Sequence, residues 1–154
     1  MNKEDIKRSC FSAFFSAITI GALTILTYKT ELGIFLISSF GSSMLLLYGY
    51  PESTFSQPKN IFFWPLIDFN NRCNLSIFYS LANLYFNSSG LGVGIGLMIL
   101  LKVTHPPAGA NPIIVIMGSV SLDFLINPII TGSLIILIFG VILNRLILKK
   151  KYPL

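Results

Sequence analysis

One histidine, two lysines and a set of small and amide residues are the groups in this sequence whose types and spacing could do chemistry. His105 sits in the stretch Thr104, His105, Pro106, Pro107, Ala108, Gly109, Ala110, Asn111, Pro112. A residue that precedes proline is driven out of helical geometry, so a helix arriving from the N-terminal side should end near His105. A second helix can start at Pro112 with Asn111 as its cap. A helix broken in apolar surroundings leaves backbone N–H groups without partners, which is costly in lipid but useful where an anion or water accepts them. The positive end of a helix dipole favours negative charge at the same place. Lys102, one turn before the break, adds a cation, and Lys59, beside Gln57 and Asn60, adds another. Gly41, Ser42 and Ser43 could present donors in the same way. The candidate substrate path therefore comprises Thr104 to Gly109, Asn111, Lys102, Gln57, Lys59, Asn60, Ser42 and Ser43.

Each candidate also has an ordinary role. A lysine at the end of an apolar run commonly snorkels to the interface, and an isolated histidine commonly caps a turn by hydrogen bonding. Asp123 reads as a loop residue. Hydrolytic or metal chemistry finds little support, because the chain has a lone histidine, no HExxH, no carboxylate pair within its apolar segments and no nucleophile elbow. Cys10 and Cys73 lie far apart without CxxC or histidine partners. The expectation is no enzyme, no metal and no cofactor.

The elements that must position these groups are set by composition. Of the 154 residues 53% are hydrophobic and only 11% charged, and the mean hydropathy is +0.75, which is too apolar for an ordinary water-facing surface. Lipid accepts such side chains without the hydration cost of exposed patches. The expected fold is an all-α membrane protein in one domain. Lys3, Lys7 and Arg8 at one end, and Arg145, Lys149, Lys150 and Lys151 at the other, flank apolar runs. Nucleic acid would require a basic stripe instead. The positive-inside pattern puts both termini on the cytoplasmic side, with an even number of crossings. Glu4 and Asp5, and the lack of an A-x-A cleavage pattern, mark the first run as a retained span.

Six apolar segments follow from the pattern: Ser9–Tyr28, Leu32–Tyr50, Leu75–Asn87, Gly90–Val103, Pro112–Ser121 and Pro128–Leu148. The first matches a hydrocarbon core of about 30 Å. Pro51–Asn74 is a polar loop in which Phe62, Phe63 and Trp64 resemble an interfacial anchor. Asn87 to Gly90 gives a turn signal, read as separating two tilted helices, with one long helix as the alternative. Gly90, Gly92, Gly94 and Gly96 suit tight helix packing, and the chain is compatible with a homo-oligomer. A dinucleotide loop has no βαβ context here. The result is a bundle of four to six helical segments, broken at the Pro-Pro pair.

Two stretches are weakly alike. Gly41 to Ser43, an apolar run, and then Gln57-Pro58 parallel Gly109 to Asn111, an apolar run, and then Asn127-Pro128. In each, an amide-proline pair opens another helix. If this is a repeat, an odd number of crossings per half inverts the second half, an architecture of many transporters.

Thr104 to Ala110 (THPPAGA), Ser39 to Ser43 (SFGSS) and Phe55 to Asn60 (FSQPKN) together resemble the HPP family of integral membrane proteins. That resemblance spans most of the chain from Leu32 to Arg145. It implies a multi-helix membrane protein and, through members of cyanobacteria and plastids, transport of nitrite or another small anion across a bacterial inner or plastid-type membrane. Where the family commonly continues with Gly-Gly-His, this sequence has Phe62, Phe63 and Trp64. The alternative expectation is a non-transporting membrane subunit or scaffold whose small-residue surfaces are packing seams.

Overall fold

The structure is a computed structural model that describes residues 2–29, 36–62, 83–111, 114 and 124–154. Among the described residues the backbone forms only helices and connecting turns, so the protein is an all-α membrane protein. Helix α1 is Lys3–Lys29. Helix α2, Ser38–Met44, continues as a wider π turn over Leu45–Gly49. A 3-10 turn over Thr54–Ser56 and a short helix over 58–62 follow. Helix α3 is Asn83–Leu100, the 3-10 turn Pro106–Ala110 comes after it, and helix α4, Thr131–Val141, is preceded and followed by π turns at Leu125–Ile130 and Ile142–Ile147. Lys3–Lys29 and Ile126–Ile147 are long and apolar enough to cross a membrane, and Leu91–Leu100 is a shorter apolar helix.

Both amide-proline pairs open helices. Gln57 is extended at ψ 144° before Pro58, and Asn127 is extended at φ −123°, ψ 114° before Pro128. In each case proline crowds the preceding residue out of helical geometry while its own fixed φ suits a first turn. The turn expected at Asn87–Gly90 is instead helical backbone inside α3. Four consecutive turn-forming residues lower helix propensity without forbidding helix. Of the segment Pro112–Ser121 only Ile114 is described, and most of the loop after Phe62, including Phe63, Trp64, Asp68, Arg72 and Cys73, lies outside the described residues, as does Asp123.

Helix α2 is the centre of the core. It runs antiparallel to α1, with Tyr50 beneath the Arg8 guanidinium and the Tyr48 carbonyl accepting from Ser12 at 2.9 Å. It runs parallel to α4, whose Gly132 lies against the Phe40 ring and Gly140 against Leu47. A methyl group at either glycine would collide, so absence of a side chain is what lets these helices approach. Leu23, Leu47, Tyr48, Ile136 and Leu143 are fully buried at this junction. By contrast, a Cβ at Gly92 or Gly96 of α3 would meet nothing within 4 Å among the described residues, while Gly94 of the same helix is buried.

The π turn explains how α2 ends. Leu46 O still accepts from the Tyr50 N–H at 2.8 Å, and the carbonyls at the end of the turn draw on side-chain donors in an apolar interior. Asn144 Nδ2 donates to Leu47 O at 2.8 Å, and Ser56 Oγ lies 3.0 Å from Leu46 O and 2.8 Å from Tyr50 O. Arg8 and Lys150 both pair with Glu52, at 3.8 and 3.7 Å. The start of α1, the end of α2 and the chain beyond α4 therefore share one basic face.

Candidate functional site

Helix α3 ends before the prolines act. The Lys102 N–H donates to Ile99 O at 3.2 Å and the Val103 N–H to Met98 O at 3.1 Å, the paired bonds of a Schellman ending. Lys102 occupies its left-handed position, at φ 54°. Glycine is usual there because a side chain crowds the following carbonyl. His105 is then extended, at φ −136° and ψ 95°, as its place before Pro106 requires. The new turn thus starts at Pro106 with His105 in the cap place, and Asn111 is helical at φ −62°, ψ −40° rather than the cap of a helix starting at Pro112.

This corrects the expectation of an anion cradle built from backbone donors. Pro106 and Pro107 fill the first positions of the turn and carry no N–H. The next amide, Ala108 N–H, is already given to His105 O at 3.0 Å. Gly41 and Ser42, for their part, lie exposed within α2 rather than at a helix start.

What the break does position is the His105 ring. It is 2% exposed, with Nε2 2.9 Å from Ser43 Oγ and Nδ1 2.8 Å from the Phe55 carbonyl. The ring makes no cap bond to its own turn. It joins three separate pieces of chain: α2, the Thr54–Ser56 turn and the linker after α3. Pro107 and Ala108 are buried, Ala108 and Met98 form a small apolar cluster of their own, and Gly109 lies beside the Met98 methyl. Pro106 is exposed.

The Phe55 carbonyl is held in place by the residues around it. Gln57 Nε2 donates to Pro51 O and Ser53 O, both at 3.0 Å, and Asn60 Nδ2 donates to Thr54 O at 2.7 Å. Ser53 Oγ accepts from the Phe55 N–H at 3.2 Å. The chain after α4 closes over the same loop. Tyr152 donates its hydroxyl to Ser56 O at 2.8 Å, and Leu154 N–H donates to Gln57 Oε1 at 2.8 Å. Burial, and then the neighbouring Tyr48 phenol, push Tyr152 well above the ordinary tyrosine value, so it remains a donor. Gln57 and Asn60 are therefore first of all the frame of the loop.

A cleft of about 720 Å³ opens between this loop and the end of α3. Lys59 and Lys102 both line it, with Gln57, Asn60 and Thr104 between them. Both lysines are exposed, Thr104 is half-buried, and Asn60 is buried with its Oδ1 lacking any partner. Among the described residues no carboxylate side chain lines the cleft; Glu52 is occupied by Arg8 and Lys150. The Asn111 Oδ1 is likewise buried without a partner, but Asn111 does not line the cleft. Ser42 does not reach His105, whereas Ser43 does. Among the described residues no group of three or more histidine, cysteine or acidic side chains has the spacing to hold a metal ion.

Three residues that hold this arrangement and the end of α2 are absent from the sequence-based set: Phe55, Tyr152 and Asn144. Phe55 acts through its carbonyl and Tyr152 through a contact 96 positions away in the chain, so neither leaves a local signal. Asn144 does leave one, since an amide inside an apolar span needs a partner.

Residues 1–153 match the family model described as HPP, transmembrane region. Two transmembrane proteins of Dictyostelium discoideum are similar to the chain. One is 27% identical over 161 residues, covering 97% of this chain and 50% of its own length. The other is 29% identical over 127 residues, covering 77% of this chain and 44% of its own length. The chain thus spans about half the length of these relatives. No solved structure matches it.

Proposed function

The chain belongs to the HPP transmembrane family, and on that premise we propose that it carries a small inorganic anion, nitrite first, across the membrane by way of the Lys59 and Lys102 cleft. The observation that carries this reading is the convergence of two lysines, 43 positions apart in sequence by subtraction of their numbers, on one cleft that is otherwise largely apolar and among the described residues holds no carboxylate side chain. Such a cleft concentrates anions and selects by charge. Asn60 Nδ2 keeps one hydrogen beyond its bond to Thr54 O, and the Thr104 hydroxyl can turn from its long contact with Met98 O, so these two can donate to an anion, whereas both Gln57 Nε2 hydrogens are committed to Pro51 O and Ser53 O. The cleft adjoins the described break between α3 and the turn at Pro106, where Lys102 and Thr104 line it, and irregular backbone at membrane depth is tolerated where it lines a cavity. The basic face is read as cytoplasmic, in a bacterial inner or plastid-type membrane, and the partners are the bilayer and the anion.

The test is nitrite entry into liposomes holding the purified full chain. Uptake above that of empty vesicles, saturable in nitrite and reduced when Lys59 and Lys102 are both replaced by Gln, supports the reading. Fluxes equal to empty vesicles over a range of gradients would refute it and leave the scaffold role of a non-transporting subunit.

A further inference from the structure

The geometry points to a proton as the second substrate: each anion crosses with one proton, which is carried on His105. This rests on the transport reading above and specifies its driving force.

The hydrogen bonds around the ring are constrained by what each atom can do. The Phe55 carbonyl can only accept, so Nδ1, at 2.8 Å, carries hydrogen in every state. The neutral ring must then be an acceptor at Nε2, and the Ser43 hydroxyl, at 2.9 Å, donates to it. Ser43 Oγ has a second partner, however, the Ser39 carbonyl at 3.0 Å, which also can only accept. The single hydroxyl hydrogen cannot serve both.

Adding a proton resolves this competition without breaking the frame. With Nε2 protonated, N–H donates to Ser43 Oγ, and the hydroxyl turns to donate to Ser39 O. The ring is therefore hydrogen-bonded at both nitrogens in either state, and the two states differ by one proton and the rotation of one hydroxyl. A buried polar group usually loses a bond when its protonation changes, and that loss is what normally fixes its state. Here no bond of the ring is lost, so what opposes the positive state is the burial of its charge. The proton comes from the aqueous phase on the acidic side and bonds to Nε2, while the Ser43 hydroxyl keeps its own hydrogen and turns it to Ser39 O.

The charges around the ring supply the coupling. Lys102 is on its own linker, and Lys59 is on the short helix after the loop that holds Phe55; both face the cleft. From that loop Glu52 is engaged by Arg8 and Lys150. Among the described residues, the other titratable side chains on elements packed nearby are the phenol of Tyr48 on α2 and, on the chain after α4, Lys149, Lys150, Lys151 and Tyr152; Pro153 and Leu154 of that chain line the cleft beside the two lysines. With the cleft empty, the two ammonium groups oppose a positive ring. An anion held between them cancels that field and favours proton uptake. Anion and proton then move together, with no net charge transferred.

The experiment uses the full chain in liposomes with nitrite as the probe, and with empty-vesicle uptake subtracted because nitrous acid crosses lipid unaided. For the wild-type chain, an inside-alkaline pH gradient should raise the initial rate of nitrite entry above that of empty vesicles under the same gradient, since unaided nitrous acid would bring both to the same final accumulation. A potassium diffusion potential of either sign should leave the initial rate unchanged. Entry driven by an inside-positive potential and indifferent to the pH gradient would overturn the proton coupling while leaving anion transport intact. No entry above empty vesicles would overturn both. In Ser43→Ala and His105→Gln, the pH gradient should lose its effect and an inside-positive potential should gain one. If either variant, folded, keeps wild-type dependence on the pH gradient, the proton is not carried by this pair. If neither folds, the wild-type measurements decide alone.

Discussion

Lys102→Gly separates the two roles the structure gives Lys102, because it should move stability and transport in opposite directions. Lys102 sits at φ 54° at the end of α3. A residue with a Cβ in the left-handed region costs roughly 1–2 kcal/mol, and glycine is free of that cost. Glycine also loses more backbone freedom on folding, which offsets part of the gain, so a net stabilisation of about 0.5–1 kcal/mol is expected. For a chain of this size that corresponds to a rise of roughly 1–4 °C in the melting midpoint. The same change removes one of the two ammonium groups lining the cleft. An exposed charge contributes up to about 1 kcal/mol, so the nitrite concentration giving half-maximal uptake should rise by as much as about fivefold. Thermal unfolding in detergent and concentration-dependent uptake in liposomes measure the two quantities on one preparation. Lys102→Arg should keep both the backbone strain and the charge. A Gly variant less stable than wild type would refute the left-handed ending. One with unchanged half-saturation would refute the assignment of Lys102 to the anion path, leaving it a lysine that reaches the interface.

Two further expectations concern the frame. Gly140→Ala places a methyl group 2.6 Å from Leu47 Cγ and 2.9 Å from its Cδ1, and since Leu47 is fully buried it should cost about 1–3 kcal/mol; Gly96→Ala, which meets nothing described within 4 Å, should be neutral or slightly stabilising in the same melting assay. Tyr152→Phe removes the bond to Ser56 O and should lower stability by about 0.5–1.5 kcal/mol. Because burial raises the Tyr152 value, its contribution is complete below the unfolded tyrosine value of about 10 and is lost as pH rises toward the folded value. The alkaline limb of a stability profile should therefore be shallower in the Phe variant, and identical limbs would show that the phenol contributes nothing.

Several features of the site were legible because they follow from covalent geometry. His105 is extended because Pro106 follows it, and Gln57 and Asn127 are extended for the same reason. The missing donors at Pro106 and Pro107 follow from proline having no N–H: a helix start offers free amides in general, but not where prolines fill its first positions. The split at Asn87 to Gly90 failed because local turn propensity is a weak bias, and the α3 backbone runs through it as helix.

The sequence by itself determined the solvent this chain folds in and the points where its helices must break, since apolar content and proline sterics act without regard to the rest of the molecule. Only the tertiary structure decided what each break serves. Ser43 and His105 are 62 positions apart, His105 and Phe55 50, and Asn144 and Leu47 97. These pairings exist because Gly132 and Gly140 let α2 and α4 close to contact and because carbonyls freed in a waterless interior must find donors from elsewhere in the chain. That requirement fixes partners in space, where sequence spacing carries no record of it.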